Sequence, residues 1–345
     1  MTKRIHSFCH FLFKKGRMTM MKAVSIVQPG DSSQLIIQQR EKPVPKSNEL
    51  LIEVKAAALN RTDLLARANS SLRAPYPILG VEVSGIVIEN PGKDKRFEPG
   101  TRIAGLVNQG GYAQYAVLPA DRAMILPDTI DFEQGAAIPE VFLTAYQTLY
   151  WLGELKPEET VLIHAGASGV GTAAIQMAKQ ITRARVIATA GSKEKLTICK
   201  ELGANVTINY KEEDFSKIVL DTTNQEGVEL ILDFVGASYW EKNMKALKKD
   251  SRWILIGTLG GSIVKELNLS ELLTKRVTLK GTLLTPRSDA YKAKLTQEFV
   301  KVVMPYLASG SIRPIIDTTF SLEEVSKAHR YMESNKNSGK IILTL

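Results

Sequence analysis

The chain has 345 residues, 44% of them hydrophobic and 23% charged, which are proportions of a globular protein large enough for two domains. They exclude a disordered tail, a coiled coil and a small disulfide scaffold, since Cys9 and Cys199 could form at most one bridge. The net charge of +9 is unevenly spread. Lys3, Arg4, Lys14, Lys15 and Arg17 give residues 1–20 a charge of +5 with no acid, leaving 40 minus 36, or +4, for the remainder. No apolar run approaches the roughly 18 to 20 residues that cross a bilayer, so a cytoplasmic protein without membrane contact is expected.

Residues 1–20 are expected to be a basic leader outside the fold. Their apolar patch is too short for an export signal, and Met18, Met20 and Met21 offer later starts. From Met21 to Pro119 short apolar or alternating runs follow one another: KAVSIV, SQLIIQQ, ELLIEVKAAAL, EVSGIVIE, TRIAGLV and YAQYAVL. Such spacing predicts a compact β domain. From Thr160 strand and helix patterns alternate: TVLIHA, GVGTAAIQMAKQI, RVIATA, KEKLTICKELG, NVTIN, VELILDFVG, a helix over YWEKNMKALKK and a strand over RWILIGTLG. This alternation predicts a doubly wound parallel sheet of the Rossmann kind, and so an α/β fold class. After VTLKGTLL come one helix over Ala290–Leu307, a short strand region, a helix near Leu322–Met332 and a terminal strand KIILTL that returns to the first domain.

The sharpest local pattern is the strand, glycine turn and helix start at 161–174. Gly166, Gly169 and Gly171 permit a tight turn and close helix–strand packing, while N–H groups at the helix start face a pyrophosphate. Ser168 stands where the usual pattern has its middle glycine, which turns a hydroxyl toward phosphate. A second strand follows, so the context for a dinucleotide site is complete. At the end of that second strand an Asp or Glu would receive the ribose hydroxyls of NAD. This chain instead has Thr189-Ala-Gly-Ser-Lys-Glu-Lys. With Ser192, Lys193 and Lys195 there, and Glu194 on the outer helix face, a 2′-phosphate is the better match and NADPH is expected rather than NADH.

The blocks LNRTD at 59–63, LGVEVSG at 79–85, AAIPEVFLTAY at 136–146, HAGASGVGTAAIQMAK at 164–179, TAGSKEKL at 189–196, GANVTINYKEEDF at 203–215, GASYWEKN at 236–243 and NKNSGKIIL at 335–343 resemble the zinc-free quinone oxidoreductase branch of the medium-chain dehydrogenase/reductase superfamily. Within it they are most similar to the p53-inducible quinone oxidoreductase type. The resemblance runs in order from Met21 to Leu345. It implies a GroES-like substrate domain over 21–141 and 288–345, enclosing an NADP-binding Rossmann domain over 142–287, with NADPH in the cleft between. It further implies that Lys195 and Tyr210, beside Gly191 and Ser192, hold the 2′-phosphate and adenosine side. Gly169, Val170 and Gly171 would hold the pyrophosphate, Gly236 and Gly260 the cofactor backbone, and Asn337 a contact from the C-terminal return. A homodimer through the sheet edge at 277–284 is implied as well, and an edge with few charges suits a covered interface.

Zinc alcohol dehydrogenases of the same superfamily place metal ligands where this chain has Asn60 and Val81. Outside the leader, Cys199, His164 and His329 lie on separate elements, whereas a catalytic zinc commonly needs three convergent donors, so no metal is expected. Without a Lewis acid to help an alcohol lose its proton, the site suits an acceptor already poor in electrons. NADPH-dependent quinone reduction is therefore expected, by hydride or by single electrons, in a site that orients two rings and excludes water. Asn60 is the expected hydrogen-bonding group near the nicotinamide or quinone oxygen, with Asp63 orienting it. One competing reading is a zinc-free enoyl or alkenal reductase, although the Gly-x-Tyr stretch of those enzymes is replaced by Ala68-Asn-Ser-Ser-Leu-Arg-Ala-Pro-Tyr. The other is an NADPH-dependent RNA- or partner-binding protein with little turnover; the core charge of +4 does not favour nucleic acid.

Overall fold

The computed structural model describes Thr19–Leu345. The expected leader lies outside the described residues except for Thr19 and Met20, and Met20 opens the first strand, Met20–Ile26. Among the described residues no helix is long and apolar enough to cross a membrane.

Two large sheets organise the chain. The first has six parallel strands in the spatial order Val206–Asn209, Arg185–Ala190, Thr160–Ile163, Val228–Asp233, Leu247–Leu255 and Thr278–Gly281. Its inner strands are apolar on both faces, with Val161, Leu162, Ile163, Leu230, Ile231 and Leu232 all fully buried, because helices cover each side of such a sheet. Strand order reverses beside Thr160–Ile163, and the crevice beyond the strand ends at that point is where open α/β sheets bind ligands.

The second sheet has seven strands drawn from both ends of the chain. Glu49–Ala58 is its hub, pairing with Glu82–Glu89, with Tyr115–Pro119 and with the terminal strand Lys340–Thr344. Arg102–Leu106, Ala123–Ile125 and Ile316–Ser321 complete it. The expected β domain with a C-terminal return is thus present, joined to the Rossmann sheet by a shared core. Leu106 and Met124 of one sheet pack in the same buried cluster as Val161, Ile163 and Ala173 of the other.

Two elements differ from the sequence expectation. The helix expected through Lys249 is Trp240–Ala246, and the following strand begins at Leu247 and ends at Leu255. Pairing of Leu247 with Val228, and ion pairs from Lys248 to Glu226 and Glu229, override the local helical pattern. The helix expected over Ala290–Leu307 is broken into Asp289–Val302 and Met304–Ala308. Pro305 has no N–H to continue the first helix but fits the opening turn of a second. Helix Pro139–Tyr146, within the AAIPEVFLTAY segment, also matters: its Val141 packs toward the glycine turn.

Candidate active site

Strand Thr160–Ile163 ends in the turn that leads to helix Gly169–Met177. A Cβ on Gly166 would fall 2.8 Å from Cys199 Sγ and 3.0 Å from Ala188 Cβ, and one on Gly171 would lie 2.6 Å from the Gly166 carbonyl oxygen. Glycine is therefore required for the helix to close on the sheet. Ser168 is the N-cap, its Oγ accepting from the Gly171 N–H at 3.1 Å. Its hydroxyl oxygen is thereby engaged within the loop. The N–H groups of Gly169 and Val170, in the first turn, have no intrahelical acceptor and are available to an anion. The C-terminal return fixes this loop, since the Gly339 N–H donates to Ala167 O at 2.8 Å. Asn337 Nδ2 in turn donates to Gly339 O at 3.2 Å, so Asn337 braces the contact.

Beyond strand Arg185–Ala190, Ser192 caps helix Lys193–Glu201, accepting from the Lys195 N–H at 3.4 Å. Lys195 Nζ donates to the Asn335 carbonyl at 2.8 Å, and the Arg61 guanidinium donates to the same residue's side chain. Burial lowers the pKa of Lys195, Asp317 pulls it back up, and Lys211 and Arg61 lower it further. Three cations thus face one region. Gly191 closes its floor: a Cβ there would lie 2.7 Å from Tyr210 Oη and 3.1 Å from Lys211 Cε. Tyr210 is 42% exposed and meets Tyr239 edge-on at 6.2 Å. Glu194 is exposed on the outer face. Sequence reading did not single out Arg61, Lys211 or Asn335. Arg61 sits inside LNRTD, and a cation there was the available signal.

Gly236 and Gly260 lie in two loops stitched together, the Gly260 N–H donating to Val235 O at 2.8 Å and the Ala237 N–H to Gly261 O at 2.9 Å. Beneath them Asp233 accepts from the N–H groups of Val235 and Gly236 at 2.7 and 3.1 Å, and from Trp253 Nε1 at 3.1 Å. Asn243 links Asp233 to His164, whose Nε2 lies 2.7 Å from the Asn243 amide oxygen. Burial holds the His164 pKa below its usual value, against the pull of Asp233. The residue braces the floor of the cleft.

A buried polar cluster lies where the two sheets meet. The Lys340 ammonium donates to Leu59 O at 2.7 Å, to Asn60 Oδ1 at 2.7 Å and to Glu82 Oε1 at 2.6 Å. All three of its protons are used. Asn60 Nδ2 donates to the same Glu82 oxygen at 2.8 Å, and the other Glu82 oxygen accepts the Glu140 N–H at 2.7 Å. Asp63 accepts from the Asn60 N–H at 2.9 Å, the Tyr112 hydroxyl at 3.0 Å and the Gly80 N–H at 3.1 Å. Burial pushes its carboxyl up to about 6, and these three bonds and Lys340 hold it down from going higher. Asp63 therefore fixes the backbone of Asn60, whose side chain is turned into the ion pair. Glu82, Lys340 and Glu140 escaped the sequence reading, although each lies inside a quoted block.

A small cavity of about 30 Å³ is lined by Val81, Asn108, Glu140, Thr285 and Lys292 among others. Asn108 also lines an open groove of about 710 Å³ whose walls include Leu72, Tyr76, Ile78 and Tyr115.

Residues 46–128 match the family described as alcohol dehydrogenase GroES-like domain, and residues 169–301 the family described as zinc-binding dehydrogenase. The crystal structure of a quinone oxidoreductase from Pseudomonas syringae pv. tomato is 30% identical, with a TM-score of 0.84 over 94% of this chain and 100% of that one. The chain belongs to the medium-chain dehydrogenase/reductase superfamily, in its quinone oxidoreductase group. A quinone oxidoreductase of Lama guanicoe is 28% identical over 332 residues, covering 94% of this chain and 98% of that protein. The quinone oxidoreductase of Escherichia coli, solved in complex with NADPH, is 28% identical with a TM-score of 0.84 over 94% of this chain and 99% of that one. At the two positions where the zinc enzymes of this superfamily place ligands, the Asn60 oxygen is held by Lys340 and Val81 has no donor atom. Among the described residues no group of three or more His, Cys, Asp or Glu side chains is arranged to hold a metal ion.

Proposed function

We propose that this chain is a zinc-independent NADPH:quinone oxidoreductase. The observation that carries the reading is the pairing of a three-cation pocket at the end of the second strand with a reaction end where Lys340, Asn60 and Glu82 are spent on one another. Arg61, Lys195 and Lys211 offer a 2′-phosphate more positive charge than an NADH ribose would use. Gly169 and Val170 offer backbone N–H groups to the pyrophosphate, and Gly171, its own N–H bound by Ser168, lets the helix start close to it. Gly191, Ser192 and Tyr210 wall the adenosine side, and Gly236 and Gly260 line the path to the reaction end. The nicotinamide would supply the reducing equivalents, as hydride or as single electrons. Asn60 and Asp63 act by positioning: Asp63 holds the Asn60 backbone, and Asn60 holds Lys340 and Glu82. A valine and a tied amide at the ligand positions provide no seat for a Lewis acid, which favours an acceptor that needs no deprotonation before reduction.

The partner follows from the sheet edge. Thr278–Gly281 is the last strand of the Rossmann sheet, and Leu279 and Leu283 are 40% and 63% exposed beside it. Such an edge suits pairing with a second copy of the chain.

The test is NADPH oxidation measured in parallel with 1,2-naphthoquinone, a crotonyl thioester and an alkenal. Turnover of the quinone is expected, and turnover of the thioester alone would overturn the reading. The same assay under electron paramagnetic resonance separates the two electron routes: radical product at two per NADPH marks single-electron transfer, and one hydroquinone per NADPH marks hydride transfer.

A further inference from the structure

We propose that Glu140 is the proton donor to the acceptor oxygen reduced in this cleft. The inference rests on the quinone reductase reading and names one more residue for it. Glu140 opens helix Pro139–Tyr146 with its backbone anchored, the N–H being bound by Glu82 at 2.7 Å. Its carboxyl, by contrast, makes no hydrogen bond to any described residue. Glu140 is partly buried at the wall of a small cavity, and an unpartnered carboxyl there is open to a ligand or a water. That cavity also meets Asn108, Thr285 and Lys292. A volume of about 30 Å³ admits a water but no ring, and Asn108 also lines the groove of about 710 Å³, which is large enough for one. Cofactor and acid are neighbours as well. The residue after Glu140, Val141, lies against the phosphate loop, where a Cβ on Gly169 would come 2.8 Å from Val141 Cγ1 and 3.0 Å from Lys340 Cδ.

The charges around the carboxyl set its state. Burial has the largest effect and raises its pKa; Glu82 of strand Glu82–Glu89 and Asp63 of helix Arg61–Ala68 raise it further. Lys340 of the terminal strand and Lys292 of helix Asp289–Val302 lower it, and the balance stands at about 8. Glu140 is therefore an acid, not a carboxylate, at neutral pH, the protonation state a donor needs. Hydride arriving on a quinone leaves negative charge on an oxygen. That oxygen forms an O–H bond as the Glu140 O–H bond breaks, directly or through one water in the cavity, and the carboxylate regains a proton from solvent through the groove. One NADPH and one proton are consumed for each hydroquinone.

The test compares wild type, Glu140→Gln and Glu140→Asp in the full chain. With 1,2-naphthoquinone at pH 7, Glu140→Gln should lower kcat by about a hundredfold, with the KM for NADPH within about twofold. Wild-type kcat should fall as the pH rises past about 8, Glu140→Asp should keep a falling limb, and Glu140→Gln should lose it. Carbon-13 NMR of glutamate carboxyls in the cofactor-free protein should show one group titrating near 8 that disappears in Glu140→Gln. The stability consequence has a definite sign. A carboxyl whose folded pKa is raised loses stabilisation as pH rises from the ordinary value of 4.5 through about 8. Glu140→Gln should therefore melt higher than wild type at about pH 9, which also shows that it folds. An unchanged kcat and pH profile in Glu140→Gln, or a carboxyl titrating near its ordinary value, overturns the proposal. Failure of wild type to reduce any quinone overturns the earlier reading instead, and the carboxyl titration still reports on Glu140.

Discussion

At the ribose end of the cleft Lys195, Lys211 and Arg61 crowd together with Asp317 as the opposing charge, while at the reaction end the buried cation Lys340 is saturated by Leu59, Asn60 and Glu82. The first arrangement leaves positive charge unspent and is built to be completed by an anion. The second is complete within the protein. Lys340 and Glu82 are both almost wholly buried, with side chains 4% and 0% exposed, so their attraction chiefly repays the cost of taking two charges out of water. In the proposed reading the difference teaches that charge near the cofactor has two separate uses: surplus charge selects the ligand, and balanced charge holds two sheets in register.

The largest effect expected from this contrast is at Lys340. Replacing it with methionine strands the Glu82 carboxylate in the interior, and chemical denaturation should show a loss of about 3–5 kcal/mol. Adding Glu82→Gln should recover much of that loss, because the pair is coupled. A loss in Lys340→Met below about 1 kcal/mol would mean that the pair behaves like a surface ion pair, and the contrast between the two ends would collapse.

At the ribose end the effect should appear in binding and leave stability nearly untouched. Lys195→Ala and Lys211→Ala should each weaken NADPH about tenfold or more, the worth of one charge-assisted bond, and leave NADH within about twofold. The loss should shrink in high salt, since these side chains are partly exposed. Equal weakening of both coenzymes would show that the lysines shape the helix and do not read the phosphate.

The two ends were not equally legible in the sequence. The phosphate loop depends on backbone: three glycines and a capping serine at fixed spacing after an apolar strand, all within eleven residues of Val161. Lys195 drew notice because it follows a strand end that lacks an acid. The reaction end depends instead on partners far apart in the chain. Lys340 and Glu82 are 258 residues apart, and a lone lysine or glutamate in a sequence reads as surface until topology brings the terminal strand beside Glu49–Ala58. Glu140 was hidden in the same way, inside a block noticed for its likeness to other proteins. Local pattern erred for a related reason at Lys248, whose helical surroundings gave way to pairing with a neighbouring strand. Asn60 and Asp63 stood out in the sequence, but their partners Gly80, Glu82, Tyr112 and Lys340 became visible only in the fold.

The smallest expected effect falls on Ser192, where the two uses of the site meet in one hydroxyl. Its oxygen accepts the Lys195 N–H at 3.4 Å through a lone pair, and its hydroxyl proton, turned toward the exposed Glu194 carboxylate in the absence of a ligand, can swing to donate to a phosphate. Ser192→Ala should therefore do two things: lower stability by about 0.5–1 kcal/mol through the lost cap, and weaken NADPH severalfold more than NADH. A stability loss of that size with no change in the ratio of the two dissociation constants would confine Ser192 to capping. It would also place the recognition of the 2′-phosphate wholly on the cations, whose charge does not depend on how the helix begins.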